Sequence, residues 1–324
     1  MIVHPSERGA ALLTVLMLVA VIATISATAL DRLTVATRLS ANGAFAAQGR
    51  QWLGLAEQLA AARLEDLASA DAARTLPGPW LGQRREIRLP DGGLVRAEVR
   101  DAGNCFNLNS LARPQADASS IADPLAVQQM LSLLTLLGVD SGRASGIAAA
   151  AADWVDSDRS PLPGGSEQRA SGSGWPPANA PFADVGELGA VQGVTPEMMT
   201  IVAPFLCALP EQAPSALNPN TMLPEQAPLL AMLAPAQLGL AAARARILDR
   251  PASGYQSSVA FWQSASVAPQ ALPPGAGEQI RLKSRWFELS AEVSNGGQSL
   301  ASTTLIDLRE ARARIVRRRY GEAG

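Results

Sequence analysis

The chain has 324 residues, a length with a prior of about two domains, and its 27 Lys plus Arg against 29 Asp plus Glu leave a net charge of −2, which excludes a global basic field that would draw it to nucleic acid. A single histidine, His4, and two cysteines, Cys105 and Cys207, argue against a histidine-based catalytic triad or a Cys/His zinc site. Apolar residues make up 48% but aromatics only 4%, a composition suited to Ala/Leu helices rather than to an aromatic-rich β-sandwich.

A charged preface ends at Arg8-Gly9, and Ala10 to Leu30 then carry no charge. A membrane-crossing helix needs about 20 apolar residues. A secretory signal has a shorter apolar core, of about 7–15, and a small-residue cleavage site. Ala23, Ser26, Ala27 and Ala29 keep the cleaved-signal reading open. The continuation opposes it, because residues 31–65 hold apolar residues at helical spacing: Leu30, Leu33, Thr37, Ala41, Ala44, Gln48, Trp52, Leu55 and Leu59 run along one side. The spacing predicts one long helix, broken at most near Gly43 or Gly49. Glu7 offsets Arg8 and Asp31 offsets Arg32, so charge does not fix the orientation.

Residues 69–82 form a Pro/Gly break. Two short strands follow, Glu86–Leu89 and Leu94–Arg100, around the turn Pro90-Asp91-Gly92-Gly93. Residues 121–152 read as helical, with Asp123 as N-cap and Pro124 at the first helical position. A Pro/Gly/Ser loop covers 156–181, and short helices broken by prolines cover 182–250. Strands return at Trp286–Val293, Leu300–Asp307 and Ala313–Arg319, with a strong hairpin signal at Asn295-Gly296-Gly297. A lone first hairpin has too little sheet to be stable. The order strand, helical block, strand therefore points to a domain inserted into an α/β frame.

The junction SERG-AALLTVLMLVAVI resembles the type IV prepilin pattern, a short polar leader ending in Gly before an uncharged helix. That resemblance implies cleavage between Gly9 and Ala10, N-methylation of the new terminus at Ala10, and retention of the helix. Most such proteins carry Glu at the fifth mature position, and here it is Thr14. A carboxylate buried in an apolar core needs a partner, so its absence suggests a subunit that docks beneath no other. Three further stretches, DAGNCFNLNSL (101–111), AAADWVDSDRSPLPGGSE (150–167) and PSALNPNTMLPEQAPLLAML (214–233), are similar to motifs of one family, the minor pseudopilin K of the type II secretion system. GELGAVQGVTPE (186–197) also fits.

The resemblance implies an α+β pseudopilin fold, a long N-terminal helix plus an antiparallel sheet, with a large inserted all-α domain. The expected division is a leader at 1–9, a transmembrane and assembly helix at 10–31, a frame at 32–110 and 277–324, and an insertion at 111–276. It implies no enzymatic activity, a single pass through the bacterial inner membrane, and a body in the periplasm. The expected partners are minor pseudopilins I and J, the prepilin peptidase and the membrane, with secreted proteins as further candidates and no nucleic acid. The expected task is to cap the tip of the periplasmic pseudopilus and help start its assembly for export across the outer membrane.

Asp156, Asp158 and Glu167 are candidate calcium ligands, with Asp153 a weaker one, because calcium takes 6–8 oxygens in flexible geometry. The family resemblance adds calcium as an expected structural cofactor. Gln168 stands where the family often has another acid, and the following segment lacks its usual Tyr. The same acids around a metal define the alternative, a membrane-anchored periplasmic metal-dependent hydrolase, but no nucleophile–base pair accompanies them. The runs Asn107-Leu108-Asn109 and Asn218-Pro219-Asn220-Thr221 suit turns and caps better than catalysis. Asn220 or Thr221 is the expected cap of a helix starting near Pro224. Cys105 and Cys207 are either one disulfide or two buried thiols. Export favours the disulfide, which would close a loop of about a hundred residues and contribute about 4–5 kcal/mol in the chain-entropy model. Arg317-Arg318-Arg319 is split between two strand faces. The turns in LLGVDS and VQGVTP resemble helix-hairpin-helix modules but lack Lys or Arg, which leaves no nucleic-acid patch.

Overall fold

The computed structural model describes residues 5–78, 80–90, 92–166, 178–268 and 271–321. Helix α1, Pro5–Ala70, is 66 residues long, about 100 Å at 1.5 Å per residue. It runs unbroken through Gly43 and Gly49. Residues 10–44 are exposed along its whole first half. Among the described residues it is the one helix long and apolar enough to cross a membrane.

Burial starts at Gly49 and recurs at Leu53, Glu57, Ala60, Leu64 and Ala68. This spacing keeps one helix face on the sheet. The stripe read from the sequence lies on another side of the helix: Leu55 is 52% exposed, Leu59 is 50% exposed and Trp52 is half-buried. Each residue turns the helix by roughly 100°, so Leu59, one position before Ala60, points well away from the sheet. α1 has two apolar faces, and only one of them is covered.

Strands β1 (Arg85–Arg88) and β2 (Leu94–Asp101) form the first hairpin. The chain then leaves the sheet through β3 (Phe106–Asn107), β4 (Ala112–Pro114), β5 (Ser120–Ala122), α2 (Pro124–Leu136), α3 (Ser141–Val155), α4 (Pro196–Val202), β6 (Leu206–Cys207), α5 (Ala227–Ala231), α6 (Leu240–Leu248) and α7 (Ser258–Ser264). It returns as β7 (Trp286–Asn295), β8 (Gln298–Arg309) and β9 (Arg312–Gly321). The order is β1-β2-β7-β8-β9, antiparallel throughout. β2 pairs with β7 from Leu94↔Ser294 to Asp101↔Phe287, so the helical block leaves and re-enters between adjacent strands. The β7–β8 turn is Gly296-Gly297, both at positive φ, the geometry that a two-residue hairpin favours.

Alternation sorts the sheet faces. Val95, Val99, Leu289, Val293 and Ile306 pack with Leu53 and Leu64 of α1. On the other face Arg96 pairs with Glu86 and Glu292, and Arg100 with Glu288. The helical block has its own core around Leu111, Met130, Leu133, Ile147 and Leu230. Alanines 148–152 are all buried there and leave room for close approach of neighbouring elements. Asp123 Oδ1 accepts the Ala126 N–H at 3.0 Å with Pro124 at the first position of α2, as the sequence predicts. This core also takes in Phe106, Leu108 and Ile280, outside the expected 111–276. Two short two-stranded pieces, β3–β6 and β4–β5, accompany its helices.

Candidate functional site

Gly9 and Ala10, the expected cleavage pair, lie in the first turns of α1. The Thr14 hydroxyl donates to the Ala11 carbonyl at 2.9 Å. Its polarity is satisfied within its own helix, and it presents no charge to a neighbour.

The acid-rich loop starts at the end of α3. Asp153, the weaker candidate from sequence, is its centre: it is fully buried, and its Oδ1 accepts the Leu162 N–H at 2.9 Å. Gly165 passes so close that a Cβ there would collide with Asp153 Oδ2. Burial pushes the Asp153 carboxyl above its usual range, backbone N–H groups of Leu162 and Ser166 pull it back, and the charge of Asp158 adds to the upward push. Asp156 is the buried C-cap residue of α3. Asp158 is exposed and accepts the Ser160 N–H at 2.7 Å. Glu167 lies outside the described residues. Among the described residues no three acidic, cysteine or histidine side chains converge to metal-holding distance. The chemistry still suits a hard cation. Asp153 and Asp156 are both buried at the negative end of the α3 dipole, with exposed Asp158 following them in sequence, and calcium takes such oxygen donors.

The asparagine motifs meet in one buried joint. Asn104 Oδ1 accepts the Asn218 N–H at 2.8 Å, and Asn104 Nδ2 donates to Thr221 Oγ1 at 2.9 Å. Asn218 Nδ2 reaches the carbonyls of Thr75 (3.1 Å) and Leu282 (3.0 Å) and Ser284 Oγ (2.9 Å). Asp101 Oδ2 accepts from Thr221 Oγ1 at 2.5 Å and from Ser284 Oγ. Burial raises the Asp101 pKa, and these hydrogen bonds only partly offset it. Asn107 and Asn109 hold the strand end to Leu209, Glu211, Ala213 and Phe182 through backbone groups. Neither Asn220 nor Thr221 caps the helical turn at Pro224, contrary to expectation. Leu223 is its N-cap residue, while Asn220 is engaged by Tyr255 and Thr221 by Asp101.

Cys105 and Cys207 are joined as a disulfide with Cα atoms 5.8 Å apart. It packs with Leu209, Trp286 and Leu305, between the sheet and the helical block. Beside it Glu211 accepts from Arg285 Nη1 (2.5 Å) and Trp286 Nε1 (2.7 Å), and Arg285 also forks onto Asp307. The arginine run is divided by strand alternation. Arg318 turns to α1 and grips buried Glu57 with both nitrogens. Arg317 and Arg319 turn to the other face and bond the Ala183 carbonyl.

Residues 104–211 and 217–279 match two family models, each described as type II secretion system (T2SS), protein K. The type II secretion system protein K of Klebsiella pneumoniae is 33% identical over 97% of each chain, and that of Pectobacterium carotovorum 31% identical over 97% of each. The crystal structure of the GspK–GspI–GspJ complex from the enterotoxigenic Escherichia coli type 2 secretion system holds a chain that superposes with a TM-score of 0.69 at 28% identity, covering 84% of this chain and 96% of that one. The long helix, antiparallel sheet and added helices are the architecture they share. The family is a structural component of a secretion machine, so the hydrolase alternative falls. The chain belongs to the type II secretion system protein K family, the minor pseudopilins.

Proposed function

We propose that this subunit caps the tip of a periplasmic pseudopilus and helps initiate its assembly, with minor pseudopilins I and J as partners. The observation that carries the reading is the two-faced helix: one face of α1 is buried on the sheet, while Leu33, Leu55 and Leu59 stand exposed on another. A second helix lying on that face would bury Leu33, Leu55 and Leu59 at about 25 cal/mol per Å² of apolar surface. The bulky insertion at the far end of the stem suits a terminal position, and neutral Thr14 suits a subunit with none above it. The Escherichia coli structure, a complex of GspK with GspI and GspJ, supports the choice of partners.

Maturation follows the prepilin route in this reading. The leader Met1–Gly9 is removed by the prepilin peptidase, Ala10 is N-methylated, and α1 stays in the inner membrane with the body in the periplasm. Intact mass of the purified protein tests this: a chain starting at monomethylated Ala10 is expected, and one starting after Ala27 or Ala29 would refute it. Calcium is held by Asp153, Asp156 and Asp158, with Glu167, and its role is to neutralise the carboxylates and order the loop. Calcium is expected to raise the unfolding temperature of the wild type, EGTA to reverse the gain, and Asp153→Asn to abolish it. The Cys105–Cys207 bond forms on export, and a mass shift on alkylation without reductant would contradict it.

A further inference from the structure

The far end of α1 does not fray into solvent. Its last turn contains no basic residue, so the negative end of its dipole is unmatched from within. The cation comes from the segment that returns from the insertion. Lys283 Nζ donates to the carbonyls of Ala68 (3.2 Å) and Asp71 (2.5 Å). It is the only lysine in the chain.

The residues after the helix are then locked. Asp71 folds back onto the Ala73 and Arg74 N–H groups at 2.9 Å each. The Thr75 N–H donates to Leu282 O at 2.6 Å, its hydroxyl accepts the Ser284 N–H at 3.0 Å, and its carbonyl accepts Asn218 Nδ2 at 3.1 Å. Arg74 Nη1 reaches Gln256 Oε1 at 2.6 Å and the Ser253 carbonyl at 3.3 Å. Gly254, at φ +69, lets the backbone pass where a Cβ would lie 2.6 Å from Leu76 Cδ2 and 2.9 Å from Asn220 Oδ1. Thr75 is 1% exposed. These contacts fall within 69–82, the stretch that the sequence marks as a Pro/Gly break.

We infer that α1 and the insertion form one rigid body, with the end of α1 seated in a socket built by residues 282–284, Asn218 and the 253–256 turn, and with Lys283 as a helix C-cap supplied from the insertion's return segment. Axial displacement of the stem then reaches the insertion without a hinge. The joint does not depend on what the stem assembles with; only its mechanical use rests on the tip reading.

The test uses the full-length protein alone in detergent micelles. Spin labels replace the exposed side chains of Arg63 on α1 and Leu248 on the insertion, and pulsed dipolar spectroscopy reads their distance. A single narrow distribution is expected. A broad or bimodal one overturns the rigid body. Lys283→Met is expected to broaden the distribution and to speed hydrogen exchange of residues 66–76 about three- to tenfold, and Lys283→Arg to restore both. Unchanged exchange in Lys283→Met overturns the capping role. Should Lys283→Met fail to fold, the wild-type distribution still decides rigidity, and Arg74→Ala replaces it as the loosening variant: exchange at 71–76 no faster than in the wild type overturns the socket.

Discussion

Glu57 is a carboxylate in the middle of an apolar helix face, 2% exposed, held by Arg318 and by the Thr304 hydroxyl at 2.7 Å. Leaving one member of such a pair buried alone costs more than removing both. Arg318→Ala is therefore expected to lower stability by about 3 kcal/mol, and the double variant Glu57→Leu with Arg318→Leu to recover most of it, as read from denaturant midpoints. The β8–β9 turn stores the opposite opportunity. Glu310 and Ala311 sit at φ +51 and +57, where residues with a Cβ are strained. Ala311→Gly is expected to raise stability by about 1 kcal/mol in the same assay. Asp101 gives a pH signature. Its folded-state pKa lies above the unfolded value because burial penalises the charge. The penalty on the folded state is in full force above the folded pKa, and it is relieved as pH falls through that value towards about 3.9. Unfolding midpoints between pH 7 and 4.5 check this: the difference between wild type and Asp101→Asn is expected to move in the wild type's favour as pH drops.

At the scale of elements, α1 shows both what the sequence reveals and what it hides. Its length and continuity are legible, because an uncharged span runs into residues at helical spacing with no proline between. Which apolar stripe is covered is not legible, because Leu53 and Leu59 are equally good core residues in isolation and only the docked sheet distinguishes them. The two stripes separate experimentally. Leu53→Ala is expected to cost about 2–5 kcal/mol of body stability, while Leu59→Glu stays within about 0.5 kcal/mol of the wild type, measured by thermal unfolding. The hairpins were readable from Pro90-Asp91-Gly92-Gly93 and Asn295-Gly296-Gly297, since turn chemistry is local. The acid loop was half readable. The spacing marks Asp156, Asp158 and Glu167 ahead of Asp153, yet Asp153 is fully buried, as is Asp156, because the chain wraps back through Leu162 and Gly165 and no spacing rule announces that contact.

For the molecule as a whole, the motifs were legible and their purpose was not. Asn104 and Asn218 stand 114 residues apart and bond directly, so each motif alone looks like a turn. Together with the disulfide, Arg285 and Lys283, they fasten the helical block to the frame at β2, β7 and the end of α1. In the proposed reading the molecule is a stem with one uncovered face and a body fastened to its far end, as a subunit at the end of a filament requires. The most direct test of that account is binding of the mature full-length protein to the purified I–J pair in detergent. A stable three-protein complex is expected, one that Leu59→Glu abolishes while the variant's unfolding temperature stays at the wild-type value. A Leu59→Glu protein that joins the complex as tightly as the wild type would contradict it.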